Sequence, residues 1–151
     1  MENLAALVLL LKELKASIKM SDQIQILKDF KSQLLTFVDE LISQFPSEGD
    51  LVILRVFIDN QIEIKKVMDG FIYKVNSNDN KLRDMIKQRN EVFFINHDVF
   101  NTVNKDKVRH FKKLWLSGEL DDEDKEVIWK WIDVFLFLSD KYINTSKQQC
   151  N

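Results

Sequence analysis

The chain has 151 residues, with 22 Lys and Arg against 24 Asp and Glu, for a formal net charge of −2. A single cysteine, Cys150, excludes an internal disulfide framework, and 11% aromatic content with so small a net charge argues against disorder. Three Gly and one Pro supply too little turn chemistry for a many-stranded β fold. The expected class is therefore all-α: a single globular bundle of six or seven helices ending in a hydrophobic C-terminal helix.

Leu4–Leu11 (LAALVLLL) is far shorter than the roughly 20 apolar residues that span a bilayer. It follows Glu2 rather than a basic stretch, and no small-residue cleavage site comes after it. It reads as the first core helix, residues 1–20, and not as a signal. From Ser21 to Phe45, the residues Ile24, Leu27, Phe30, Leu34, Phe37, Val38, Leu41 and Phe45 recur at steps of three and four, which predicts a second helix. Ser21 or Asp22 can cap its start, and Pro46 stops it by removing a backbone donor. Ser47-Glu48-Gly49-Asp50 forms the turn. Leu51–Ile58 (LVILRVFI) has strand-like composition, yet no second such run exists to pair with it, so a short buried helix is expected.

Asn60 and Glu63 read as a capping box opening a helix that turns Ile64, Val67, Met68, Phe71, Ile72 and Val75 inward. Gly70 inside it marks a close helix crossing, and Asn76–Asn80 is a polar loop. Leu82, Met85, Ile86, Phe93 and Phe94 share the apolar side of another helix. Asn96-His97-Asp98 breaks that pattern, and Asp98 caps a short turn through Val99–Val103. Val108, Phe111, Leu114 and Trp115 mark a helix that stops at Ser117-Gly118, where glycine suits a left-handed cap. The last helix begins near Asp121, with acids in its first turn. It is expected to run to about Tyr142, with residues 144–151 frayed.

A search for chemistry finds little. His97 and His110 lie in different predicted elements with no metal-ligand spacing around them, so no metal is implied. Gly49, Gly70 and Gly118 are too far apart to cradle a phosphate, so no nucleotide cofactor is implied either. Cys150 sits near the end of the chain with nothing to hold a base beside it. Acidic pairs such as Asp39-Glu40 and Asp121-Asp122 fall on exposed faces or at a helix start, away from the burial that separates an acid from a base. An enzyme is not expected.

Two surfaces attract attention. The basic run Lys105, Lys107, Arg109, Lys112 and Lys113 places Lys105, Arg109, Lys112 and Lys113 near one helical face, and Lys81, Arg83, Lys87 and Arg89 form a weaker cluster. Phosphate contacts need such patches, so association with nucleic acid is one reading. The plainer reading is a solvated face pairing with the acids of 119–126. The last helix is more informative. Val127, Ile128, Trp131, Val134, Phe135, Leu138 and Tyr142 make an ordinary core face, and Trp129, Ile132, Leu136 and Ile143 make a second stripe beside it. Trp129 and Trp131 point roughly 160° apart at 100° per residue. Either the helix is central and surrounded, or one stripe meets a partner, for which Trp is a frequent anchor. The second arrangement gives Trp115, Trp129, Ile132 and Leu136 as partner-binding residues, with a protein or a second copy as partner.

The stretch from His110 to Tyr142 (HFKKLWLSGELDDEDKEVIWKWIDVFLFLSDKY) resembles the C-terminal part of small helical proteins encoded by large DNA viruses of algae and protists. The matching positions are Phe111, Leu114, Trp115, Leu120, Ile128, Trp129, Trp131, Phe135, Leu138 and Tyr142. The resemblance implies a viral helical protein, virion-associated or host-directed, with no catalytic motif to carry over. A codon-biased composition of 18 Lys to 4 Arg, with 11 Asn, agrees with an AT-rich source. A Bcl-2-like bundle is similar in length and in its hydrophobic central helix, although the N-W-G-R signature is absent, so that analogy concerns fold alone. With no export signal and a lone cysteine, an intracellular setting, cytoplasmic or nuclear, is expected.

Overall fold

The computed structural model describes residues 2–96 and 105–148. Among them the regular structure consists of six helices: α1 Glu2–Gln44, α2 Gly49–Asn60, α3 Ile64–Lys87, α4 Glu91–Asn96, α5 Lys105–Leu116 and α6 Asp122–Gln148. The all-α class is as expected, but the first boundary is not. Residues 1–20 and 21–45 do not form two helices, because α1 passes through Ser21 and Asp22 unbroken. A Ser or Asp side chain caps only where the upstream backbone leaves the helix. Nothing between Leu4 and Gln44 is Gly or Pro, so each N–H keeps its partner four residues back. Pro46 does end α1, and Glu48 N–H bonds to Phe45 O at 3.0 Å to close the turn.

Helix α2 runs back along α1, with Arg55 paired to Asp39 and Lys31 Nζ donating to Asp59 O at 2.7 Å. The predicted short helix is present, but only part of it is buried. Leu51 and Ile58 face the core, while Val52, Ile53 and Val56 are exposed. The expected capping box of Asn60 and Glu63 does not form: α2 occupies Asn60, so α3 starts after Glu63, whose side chain pairs with Lys66 at 3.1 Å instead of capping. Val67, Met68, Phe71 and Val75 are buried as the periodicity predicts. At the loop expected over Asn76–Asn80, Ser77–Asn80 leave helical geometry, with Asn78, Asp79 and Asn80 all at positive φ. Asn and Asp tolerate that left-handed region better than other side chains.

The expected continuous helix over Leu82–Phe94 is two helices. Asn90 N–H bonds to Met85 O at 2.8 Å and Arg89 N–H to Ile86 O at 3.0 Å, the paired bonds of a Schellman stop, with Arg89 at φ 53° where glycine is usual. Asn90 Oδ1 then accepts from Phe93 N–H at 3.0 Å and caps α4. The turn expected at Val99–Val103 and His97 lie outside the described residues. Helix α5 stops as predicted, before Gly118 at φ 81°. At the start of α6, Asp121 Oδ1 accepts from Asp124 N–H at 2.8 Å, and Asp124 Oδ2 accepts from Asp121 N–H at 3.2 Å. That reciprocal cap holds the Asp124 carboxyl below the ordinary aspartate range, first through the Asp121 N–H. Residues 144–148 continue the helix rather than fray, with Thr145 Oγ1 donating to Tyr142 O at 2.6 Å.

The core gathers around α6. Phe135, wholly buried, meets Phe30 and Phe37 of α1 at ring separations of 5.8 and 5.9 Å, and Phe30 meets Phe71 of α3 at 6.4 Å. Of the predicted core face, Ile128, Phe135, Leu138 and Tyr142 are buried, whereas Val127 is exposed.

Candidate functional site

The stripe expected to bind a partner lies mostly inside the molecule. Trp115, Trp129 and Ile132 are 2%, 4% and 1% exposed, and Leu136 is half-buried. The reason is visible in the packing: α6 is the central helix, and its two tryptophans serve two different walls. Trp129 meets Phe94 of α4 at 5.0 Å and Trp115 of α5 at 5.5 Å, edge to face. Trp131, half-buried on the far side, meets Phe37 of α1 at 5.8 Å and donates Nε1–H to Glu40 Oε2 at 2.7 Å. Trp115, Trp129 and Ile132 are therefore core residues and not an exposed anchor set.

Charged side chains close the edge of this aromatic cluster. The Arg89 guanidinium lies 5.7 Å from the Trp129 ring and grips Asp133 through two bonds of 3.0 and 2.8 Å. Its pKa is raised, first by the Asp133 bonds. Glu91 accepts from Trp115 Nε1–H and from Lys125 Nζ at 2.6 Å, and Lys125 sits 5.6 Å from the Trp115 ring. These contacts hold the Glu91 carboxyl below the usual glutamate range, chiefly through Lys125.

Between the end of α3 and α6 is an open cleft of about 480 Å³, bordered by Arg83, Asp84, Lys87, Asp133, Leu136, Phe137 and Asp140. Arg83 binds Asp140 through bonds of 3.2 and 2.7 Å. Leu136 is the one predicted partner-binding residue at this cleft, and beside it Phe137 is 61% exposed. Sequence reasoning missed Phe137 because it belongs to neither apolar stripe. Two of the four basic residues of the cluster at 81–89, Arg83 and Arg89, are committed to carboxylates of α6. On α5, Arg109 and Lys113 are exposed and Lys112 is half-buried; the side chain of Lys105 is outside the described residues.

The largest apolar surface is elsewhere. Ten large hydrophobic residues from Leu4 to Ile24 are 45–66% exposed: Leu4, Leu7, Val8, Leu9, Leu10, Leu11, Leu14, Ile18, Met20 and Ile24. The expectation that Leu4–Leu11 forms a core helix is thus wrong. The first buried residue of α1 is Ile26, so the preceding residues make an arm about 33 Å long at 1.5 Å per residue. At 100° per residue, the arm's stripe of Leu4, Leu7, Leu11, Leu14 and Ile18 lies roughly 140° from the stripe Ile26, Phe30, Leu34, Val38 and Leu41 that faces the body. One straight helix cannot lay both stripes on the same core. The signal for this surface was the 3-4-3-4 spacing of those five residues, which is the spacing of a helix seam.

Among the described residues, no group of three His, Cys, Asp or Glu is arranged to hold a metal ion, and no helix is long and apolar enough to cross a membrane. Comparisons with protein-family models, curated proteins and solved structures return no match to this chain.

Proposed function

We propose that this chain is a non-enzymatic protein–protein interaction module whose working surface is the apolar arm of α1. One observation carries the reading: ten large hydrophobic residues stand 45–66% exposed on a single helical segment, against a core that buries Trp, Phe and Leu efficiently. Scattered exposed hydrophobics need no explanation, but a contiguous patch of this kind costs solubility and marks a site of association.

A virion-associated or host-directed role belongs to this proposal, supported by the C-terminal resemblance, and an intracellular setting is supported by the lone Cys150. The nucleic-acid reading is weaker, since Arg83 and Arg89 are neutralised by partners. The test is affinity capture from the native source with the wild-type chain and with Leu7→Glu/Leu14→Glu. Proteins retained by the first and lost by the second support the arm as the binding surface. Identical retention by both removes it.

A further inference from the structure

The geometry points to the occupant of the arm: we propose that it pairs in parallel with the same arm of a second copy of this chain. The inference rests on reading the arm as the interaction surface. Leu4, Leu11 and Ile18 fall at heptad position a and Leu7 and Leu14 at position d, the spacing that lets two helices interlock side chain into gap. All five are exposed, at 49–66%. Past Ile18 the same face continues as Ser21, Gln25, Lys28 and Ser32, so the apolar seam stops where the helix joins the body.

Area and charge identify the partner. A half-exposed leucine offers on the order of 100 Å² of apolar surface, so the seam with flanking Val8 and Leu10 offers roughly 700 Å². That exceeds the ~300–600 Å² patches of soluble monomers and approaches the ~800 Å² each partner gives to a stable interface. Lys12, Lys15 and Lys19 lie along one flank of the seam, and Leu10, Glu13 and Ser17 along the other. In a parallel pair each lysine flank meets the uncharged and acidic flank of its neighbour. In an antiparallel pair it meets another lysine flank. The body does not obstruct the parallel pair, because its stripe lies roughly 140° around α1 from the seam. A bilayer fits less well: interfacial helices combine aromatic anchors with a strongly charged outer face, whereas this arm has no aromatic residue and carries Leu9 and Met20 on its outer side.

Sedimentation velocity over a concentration series is expected to show a species of about twice 17.9 kDa for the wild type. Leu7→Glu/Leu14→Glu is expected at the single mass while keeping the near-ultraviolet tryptophan signal of the body. In a Cys150→Ser background, Leu7→Cys should cross-link under oxidation. A parallel pair sets the two cysteines side by side, while an antiparallel pair separates them by about 16 Å, beyond disulfide reach. A wild-type monomer, a dimer indifferent to the double substitution, failure to cross-link, or flotation of monomer with phosphatidylcholine–phosphatidylserine vesicles would each overturn the pairing. If the wild type is monomeric but the double substitution still strips captured proteins, the arm is an interaction surface with another occupant. If capture is also unchanged, both readings fall.

Discussion

The two halves of α1 are built from the same kinds of residue and meet opposite fates. From Ile26 to Leu41 the helix buries Ile26, Phe30, Leu34, Val38 and Leu41; from Leu4 to Ile24 it leaves ten large hydrophobics in solvent. Both halves are helical, and the exposed half is if anything the more apolar, since Leu4–Leu11 is apolar throughout. The difference lies in what the rest of the chain supplies. Helices α2, α3 and α6 cover one face of the second half, and the first half turns its seam the other way. An amphipathic stripe states that a face requires cover, and it does not say which surface provides it.

The sharpest way to test this contrast is to truncate one side chain on each side of it. Phe135 is wholly buried among Phe30, Phe37 and Trp131, so Phe135→Ala should cost about 3–5 kcal/mol through lost transfer energy and the cavity left behind. Leu11→Ala, at a residue 49% exposed, should change the stability of the monomer by no more than about 0.5 kcal/mol. Urea unfolding at low protein concentration measures both. At high concentration the order changes in one respect: the Leu11 variant should lose whatever extra stability association adds. Equal effects at low concentration would mean that the arm packs on the body, contrary to its exposure.

How far the sequence disclosed this arrangement depends on the kind of signal. Local chemistry was legible: Pro46 and Gly118 stop helices where expected, and the acids at the start of α6 cap it. Periodicity correctly selected Val67, Phe71, Ile128 and Phe135 for the core. Tertiary choice was not legible. Trp129 and Trp131 were seen to point apart, but only α4 and α5 packing on one side and α1 on the other shows that both walls are internal. The run Leu4–Leu11 was equally visible and reads as a core helix, because no pattern in one helix reveals that a later stripe on a different face will claim the body. The stop at Arg89 was missed for a different reason. A left-handed cap normally announces itself with glycine, and here an arginine occupies it.

That arginine allows the body to be probed at a left-handed backbone position of its own. Arg89→Ala removes two bonds to Asp133 and the contact with the Trp129 ring while keeping a side chain at φ 53°. A loss of about 2 kcal/mol is expected. Arg89→Gly loses the same contacts but frees the backbone from left-handed strain, so it should recover about 1 kcal/mol of that loss. Chemical denaturation of the two variants beside the wild type reads the difference. If the glycine variant is the less stable one, the strain assigned to this cap is not there. No comparable pair of substitutions exists on the arm, which runs without a positive φ from Leu4 into the body.

The smallest effect expected is also confined to the body and depends on pH. The Glu91 carboxyl is held below its ordinary value of 4.5 by Lys125, with a further contribution from Trp115 Nε1–H. Because its folded value is depressed, the native state favours the ionised form. Its contribution is therefore complete above that ordinary value and is lost as pH falls through the folded one. Glu91→Gln keeps an acceptor for the indole but cannot titrate or pair with Lys125. Melting curves followed by tryptophan fluorescence should place the variant below the wild type at neutral pH, with the gap closing as the solution is acidified below about 4.5. Screening limits the size of the gap, since the Glu91 side chain is 42% exposed, and added salt should narrow it further. Association through the arm should be unaffected by Glu91→Gln at neutral pH, because Glu91 belongs to α4 and the five seam residues carry no titratable group, while Glu13 on the flank of the seam brings an acid dependence of its own. A dimer weakened by Glu91→Gln would show that the two halves of the molecule are coupled, and that the contrast between them is one of exposure rather than of independence.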